Sequence, residues 1–274
     1  MALVYVNGSL VDESEAKISV FDHGLVVGDG AFETVLLFNG HPFALDRHLA
    51  RLDASLGGLA LSTPDHSRIK AAVDAVLETV AYQQGRIRIT VTAGHGPLGS
   101  GRLPSELSIA VATAELTEVH ESAVVEVVPW PRNERGALVG LKTISYAENA
   151  VALSYANARG ADEAVFANLA GNLCEGSGSN VFVVIDDDVV TPPLSAGCLA
   201  GITRGLVLEL SAAQERDLPI GDFLPGRISE AFLTSAIRGV EPITRINGET
   251  LRVGPRTLKI KSDFEALRLQ NREP

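Results

Sequence analysis

Cysteine is almost missing from this 274-residue chain: Cys174 and Cys198 are its only two, which excludes a disulfide framework and a dedicated zinc site. Cys174 abuts Glu175 and is expected to be a packed thiol rather than a nucleophile. Positive charge is also short. The 23 Lys and Arg residues face 34 Asp and Glu, for a formal net charge of -11, and this argues against a nucleic-acid or anionic-membrane surface, since both need clustered bases. No apolar run approaches the roughly 20 residues that a spanning helix requires. The first residues lack a basic-then-apolar leader, so the expected location is the cytoplasm. Lysine is the scarcest useful group, for between Lys70 and Lys259 only Lys142 occurs.

What remains is ample for folding. With 46% hydrophobic and 21% charged residues, the chain can bury one large core or two moderate ones. Alternating apolar and polar residues around Asn7-Gly8, Asn39-Gly40 and Asn247-Gly248 predict three hairpins. Asp46 is placed to cap a helix whose Leu49, Leu52 and Leu56 share a face before Gly57-Gly58. A second helix is expected over 67–82, with strands at 86–93 and 107–114. After the polar run 115–122, a strand at 124–128, a helix over 146–159, a series of short strands and a final helix over 257–269 are expected. The predicted organisation is a small N-terminal α/β domain (1–117), a linker (118–123) and a larger domain (124–274). Hairpin-rich strands with segregated helices read as an α+β fold rather than a doubly wound sheet.

The chemistry gathers in a few places. Lys142, in Gly-Leu-Lys-Thr-Ile-Ser-Tyr, is expected to leave a strand end among apolar neighbours that keep its amine nucleophilic; the alternative is a surface lysine. Glu175 stands in Glu-Gly-Ser-Gly-Ser-Asn, where small residues let a planar ring approach the backbone, just before an apolar run that reads as a buried strand. Its alternative is a water-facing strand end, the reading given to Glu163 in Gly-Ala-Asp-Glu-Ala. The glycine-rich 197–201 turn leads into a helical pattern, so the amides of Ile202 and Thr203 could form an anion site, or Thr203 could simply cap the helix. Thr234-Ser235-Ala236 offers further amides and hydroxyls. Arg51, near Leu49 and Leu52, is either the cation for that anion or a solvated arginine.

A lysine able to bond an aldehyde and an acid able to protonate a ring nitrogen are what pyridoxal 5'-phosphate requires of its protein. The order Lys142, Glu175, Gly201-Ile202-Thr203-Arg204 resembles the fold type IV, or class IV aminotransferase, family of pyridoxal phosphate enzymes. Asp22-His23-Gly24, Gly28-Asp29-Gly30-Ala31-Phe32-Glu33-Thr34 and His48-Leu49-Ala50-Arg51-Leu52 resemble the family's earlier signatures, so the likeness spans nearly the whole chain. It implies that Lys142 is the catalytic lysine, that Glu175 faces the pyridine nitrogen, and that Arg51, Ile202, Thr203, Ser235 and Ala236 hold the phosphate. Tyr146 is similar to a tyrosine that contacts the ring hydroxyl, although it lies four positions after the lysine instead of five. The resemblance further implies a two-domain homodimer with its active site between domains and near the partner subunit.

Within the family, the Phe-Glu-Gly-x-Arg pattern of branched-chain aminotransferases is broken, because Leu36 stands where the arginine belongs. The loop Arg-x-His pair of bacterial D-amino-acid aminotransferases is also missing, with Leu98 and Ser100 at those places. The spacing from Lys142 to Gly160 and the Gly-Ser-Gly-Ser-Asn run nevertheless resemble the D-amino-acid group. The expected activity is a transaminase for D-amino acids or R-configured amines with a 2-keto acid acceptor. Aminodeoxychorismate lyase, which eliminates pyruvate, is the alternative, followed by branched-chain aminotransferase and a noncatalytic binding protein of the same fold. Phe32, Thr34, Arg88 and Arg238 are the substrate candidates, with Arg238 favoured for the carboxylate and Arg88 and Arg102 behind it.

Overall fold

The computed structural model describes residues 3–118 and 121–274, so Val119 and His120 of the expected linker lie outside the described residues. The chain divides into two compact units. One takes in the chain to Thr117 together with Leu141–Tyr146, and the other Glu118–Gly140 with Ala147–Arg272. The hexapeptide around Lys142, expected in the C-terminal domain, thus packs with the first unit.

In the first unit, β1 (Leu3–Val6), β2 (Ser9–Asp12), β3 (Gly30–Phe38), β4 (His41–Pro42), β5 (Gln84–Thr92) and β6 (Ser108–Glu115) form an antiparallel sheet ordered β2-β1-β6-β5-β3-β4. Its helices are α1 (His23–Val27), α2 (Leu45–Gly58) and α3 (His66–Leu77). Both residues of Asn7-Gly8 and of Asn39-Gly40 have positive φ, as the tight hairpins β1–β2 and β3–β4 require. Along β5, Ile87, Ile89 and Val91 are buried in one core with Leu49, Leu52 and Leu56 of α2 and Ile69, Val73 and Val76 of α3. Each such side chain contributes about 1.5–3 kcal/mol by leaving water. Strand alternation turns Arg86, Arg88 and Thr90 to the opposite face. Asp46 does not cap α2: Ala44, in a left-handed conformation, holds the N-cap position, and Asp46 lies in the first turn. Asp65 caps α3 by accepting from the Ser67 amide, and this helix ends five residues before the predicted Tyr82. Thr79 Oγ1 donates to the Val76 carbonyl at that end, where a hydroxyl competes with helix continuation.

The second unit contains β7 (Ala123–Val127), α4 (Ala147–Asn157), β8 (Glu163–Ala167), β9 (Leu173–Gly176), β10 (Asn180–Ile185), β11 (Asp188–Thr191), α5 (Ile202–Leu210), β12 (Gln214–Glu215), β13 (Glu230–Ser235), β14 (Gly239–Ile246), β15 (Glu249–Thr250) and α6 (Pro255–Gln270). Its sheet runs β12-β11-β10-β13-β14-β7-β8-β9, with β15 paired to β14 across the third Asn-Gly turn. Parallel pairs (β11/β12, β14/β7, β7/β8) mix with antiparallel ones. Central β10 and β13 are apolar on both faces, as buried strands are, and stack Phe182 on Phe232 at 4.8 Å. The fold is α+β. Among the described residues, no helix is long and apolar enough to cross a membrane.

Candidate active site

In the first unit the catalytic candidates surround Phe32. Leu141–Tyr146 lies extended along the start of β3: the Lys142 carbonyl accepts from the Phe32 amide at 3.0 Å, Thr143 bridges Ala31, and the Ile144 amide donates to Gly30 O at 2.9 Å. The Lys142 amide is itself fixed by Ser55 Oγ on α2 at 3.0 Å. The backbone that carries the Lys142 side chain is thereby fixed to β3 and α2. Lys142 Nζ lies 4.4 Å from the Phe32 ring centroid, and Tyr146 meets that ring edge-on at 5.2 Å. Thr34 sits two residues along the same face and pairs with Arg88 across the β3–β5 ladder.

Arg88 stacks its guanidinium carbon 3.3 Å above the Phe32 ring. Its Nε donates to Thr90 Oγ1 at 3.2 Å, and among the described residues no carboxylate is within ion-pair distance. Crowding by apolar groups pushes its pKa down to about 10, against a raising pull from Tyr146 and Glu33. The other arginines are committed. Arg102 forks onto Asp29 at 2.7 and 2.5 Å, and Arg238 pairs with Glu163 at 2.9 Å and with Glu241 at 3.5 Å.

Glu33 turns to the other face of β3, the one that carries Ala31 and Val35. Glu33, fully buried, faces α2, where it accepts from Arg51 Nε at 2.8 Å and Nη2 at 2.7 Å and contacts His48 Nδ1 at 2.6 Å. Burial alone would raise its pKa, but the Arg51 charge and hydrogen bonds, with help from His48, hold it at about 2. Arg51 is therefore not a solvated arginine. Its side chain is only 11% exposed and its direction is set by a buried carboxylate.

In the second unit a separate corner collects the ring and phosphate candidates. Glu175, at the end of β9, accepts from the Leu199 amide at 2.9 Å and lies 3.5 Å from Arg132 Nη2. Leu199 O accepts from Asn180 Nδ2 at 2.9 Å, and Asn180 pairs with Thr234 across β10–β13. Glu175, the Leu199–Thr203 turn and the Thr234–Ala236 strand end are thereby brought together. Gly201 is the N-cap of α5 and offers no side-chain cap, so the first-turn amides of Ile202 and Thr203 stay available. Thr203 is thus not the cap: it lies buried inside the helix. A Cβ on Gly201 would collide with Asn180 Oδ1. Among the described residues, Thr234 Oγ1 is buried without a hydrogen-bond partner. Uncapped amides beside an orphaned hydroxyl fit an anionic group such as a phosphate ester.

Residues 30–246 match the family model for amino-transferase class IV. A putative branched-chain-amino-acid aminotransferase of Methanocaldococcus jannaschii is 33% identical over 97% of this chain and 96% of its own. The D-alanine aminotransferase of Staphylococcus haemolyticus is 28% identical over 96% of this chain and 97% of its own. Among solved structures, the branched-chain aminotransferase of the thermophilic archaeon Thermoproteus uzoniensis with norvaline superposes with a TM-score of 0.90, at 28% identity over 98% of this chain and 95% of that one. The chain belongs to the class IV aminotransferases. It is a pyridoxal phosphate-dependent enzyme of fold type IV.

Two features of the site escape sequence reasoning. Glu163 was read as a water-facing strand end, yet it is 1% exposed and ion-paired, a correction forced by an arginine 75 residues away. The usable signal was local: a charge opening a strand that is otherwise buried, Glu-Ala-Val-Phe-Ala, needs a partner. Arg132 gave no signal in its polar loop, although it stacks on Phe166 at 4.2 Å and reaches Glu175.

Proposed function

We propose that this enzyme transfers the amino group of a D-amino acid, or of a related R-configured amine, to a 2-keto acid, and that Arg88 receives the substrate carboxylate. The observation that carries the reading is the acid-free guanidinium of Arg88 above Phe32, the same ring that Lys142 and Tyr146 border. A planar fork with two donors suits a carboxylate, whereas Arg238 and Arg102 already face carboxylates of the protein. Pyridoxal phosphate, when bound, supplies the electron sink for the carbanion left by the α-proton. In this reading Lys142 holds the cofactor aldehyde at rest and carries the α-proton during turnover. Glu175 keeps the pyridine nitrogen protonated, with the Leu199 amide and Arg132 fixing its carboxylate. The amides of Ile202, Thr203 and Ala236, with Ser235, hold the phosphate. Phe32 and Thr34 border the substrate, and Tyr146 the ring.

Support for the D-series comes from the Gly-Ser-Gly-Ser-Asn run and from the likeness to a D-alanine aminotransferase. A branched-chain substrate is the second reading, favoured by the M. jannaschii and T. uzoniensis relatives. Leu36, buried where that group's pattern has arginine, weighs against it. The enzyme is proposed to work as a homodimer, which would cover Val20, Leu25, Leu98 and Leu103, each more than 60% exposed in the isolated chain. The decisive assay is a panel of D- and L-amino acids with 2-oxoglutarate or pyruvate as acceptor. Turnover of D-alanine above L-leucine supports the proposal, and the reverse order replaces it with the branched-chain reading. Pyruvate release from aminodeoxychorismate without an acceptor would identify a lyase.

A further inference from the structure

Glu163 opens β8 with its side chain 1% exposed to solvent, and it is ringed by donors. Oε1 accepts from the amides of Ala164 (3.1 Å) and Ser177 (3.0 Å) and from Ser177 Oγ; Oε2 accepts from Ser179 Oγ at 3.1 Å and Arg238 Nη1 at 2.9 Å. A carboxylate this far from water is stable only when its lone pairs are filled and a cation balances it. Apart from Ala164, the next residue along β8, the donors belong to two different segments. Ser177 and Ser179 form the small-residue turn after Glu175, and Arg238 belongs to the turn after Ser235 and Ala236, closed by its own amide on Ser235 Oγ at 3.2 Å. Gly176 must lack a side chain for this to work, since a Cβ there would strike Ser179 Oγ and lie 3.3 Å from Glu163 Cδ.

The connection continues to Glu175. Asn149 Nδ2 donates to Ser177 O at 2.5 Å, Arg132 Nη1 donates to Asn149 Oδ1 at 3.1 Å, and Arg132 Nη2 lies 3.5 Å from Glu175 Oε1. An unbroken polar line within the second unit thus runs from the β13–β14 turn through Glu163 to Glu175. In a low-dielectric interior such a line resists distortion to the extent that its members are satisfied; among the described residues Arg132 Nε has no hydrogen-bond partner, while both carboxylate oxygens of Glu163 have theirs.

We infer that Glu163 is a positioning residue: through Arg238 on one side and Ser177 on the other, it sets the spacing between the segment that holds the cofactor phosphate and the segment that presents Glu175. This rests on the reading of Ser235 and Ala236 as phosphate contacts. It also gives Arg238 a task other than substrate binding. The test compares pyridoxal phosphate with pyridoxal, because only the ester needs the 235–238 turn. The whole chain, stripped of cofactor, is titrated with each compound by equilibrium dialysis, and the ratio of the two dissociation constants isolates the phosphate contribution. Glu163→Gln and Arg238→Met should each lower that ratio at least fivefold, the double variant should fall no further than the worse single one, and Arg238→Lys should recover most of the loss. Equal weakening of both compounds, an unchanged ratio, or effects that multiply in the double variant would overturn the inference. Should Glu163→Gln fail to fold, the contrast between Arg238→Met and Arg238→Lys decides by the same ratio. Wild-type protein that binds neither compound refutes the cofactor reading itself, an outcome distinct from failure of the positioning role.

Discussion

Replacing Glu33 by glutamine should destabilise the first unit in a pH-dependent way whose size follows from the ion pair. The carboxyl is fully buried, and its pKa falls from 4.5 to about 2 because Arg51 and His48 outweigh the cost of burial. A depression of that size corresponds to a few kcal/mol of stability at neutral pH. The folded-state pKa is depressed, so this contribution is complete above about pH 5.5 and is lost as the pH falls through 4.5 toward 2. Glutamine keeps the shape but leaves Arg51 without a counter-charge, a change that costs about 3–5 kcal/mol when a buried pair is broken. Urea unfolding of wild type and variant should therefore differ by about 3 kcal/mol at pH 7, and the gap should narrow clearly by pH 3.5. Circular dichroism is the better probe, because the single tryptophan, Trp130, belongs to the second unit. A gap below about 1 kcal/mol at pH 7, or one that stays constant down to pH 3.5, would refute the argument that ionised Glu33 is held by Arg51.

The remaining expectations concern chemistry. Lys142→Ala should abolish transamination, and borohydride should fix the cofactor to the wild-type peptide containing Lys142; label on another lysine would dismiss it. Glu175→Gln should still bind cofactor but turn over orders of magnitude more slowly, because the ring loses its proton partner; an unchanged rate would reduce Glu175 to a structural role. Arg88→Ala should raise the Michaelis constant for amino acids about 10- to 100-fold, the size of a lost charge-assisted pair, while sparing an amine without a carboxylate. Equal effects on both substrates would remove Arg88 from the carboxylate site. Both thiols should resist iodoacetamide at pH 8 until the protein is unfolded: burial pushes Cys198 up to about 12 and Cys174 higher still, with Glu175 adding to both. Fast labelling of folded protein would contradict their burial.

Much of the fold was legible because its signals are local. An Asn-Gly pair between alternating runs states both the turn and the register, and all three such turns form hairpins. The α2 stripe of Leu49, Leu52 and Leu56 is legible for the same reason, since one helical period contains it. Asp46 misled because its capping chemistry is correct for a position two residues earlier, where the chain instead places Ala44 in a left-handed conformation. The residues around Lys142 were expected with the second domain because sequence order suggests it. Two backbone hydrogen bonds to β3, which form one bridge at Ala31 and Thr143, decide otherwise, and no local pattern announces them.

Charged side chains show the same division more sharply. Sequence reveals a cation in a turn or on a strand but not every acid that the fold brings to it: Asp29 lies 73 residues from Arg102 and Glu163 lies 75 from Arg238, although Glu241, the other acid beside Arg238, is only three residues on. Arg238 is expected free because its neighbours on the N-terminal side, Ser235, Ala236 and Ile237, carry no charge, but Glu241 on the other side lies 3.5 Å from its Nε. An arginine already balanced by a buried carboxylate can accept a substrate only by abandoning that partner, at a cost that a single new ion pair does not recover. The three candidates are thus separated by what the fold has already spent on them. Arg88, alternating away from the hydrophobic face of β5 and resting on Phe32, is the one of the three with no ion pair among the described residues, and on that ground it is the proposed carboxylate partner.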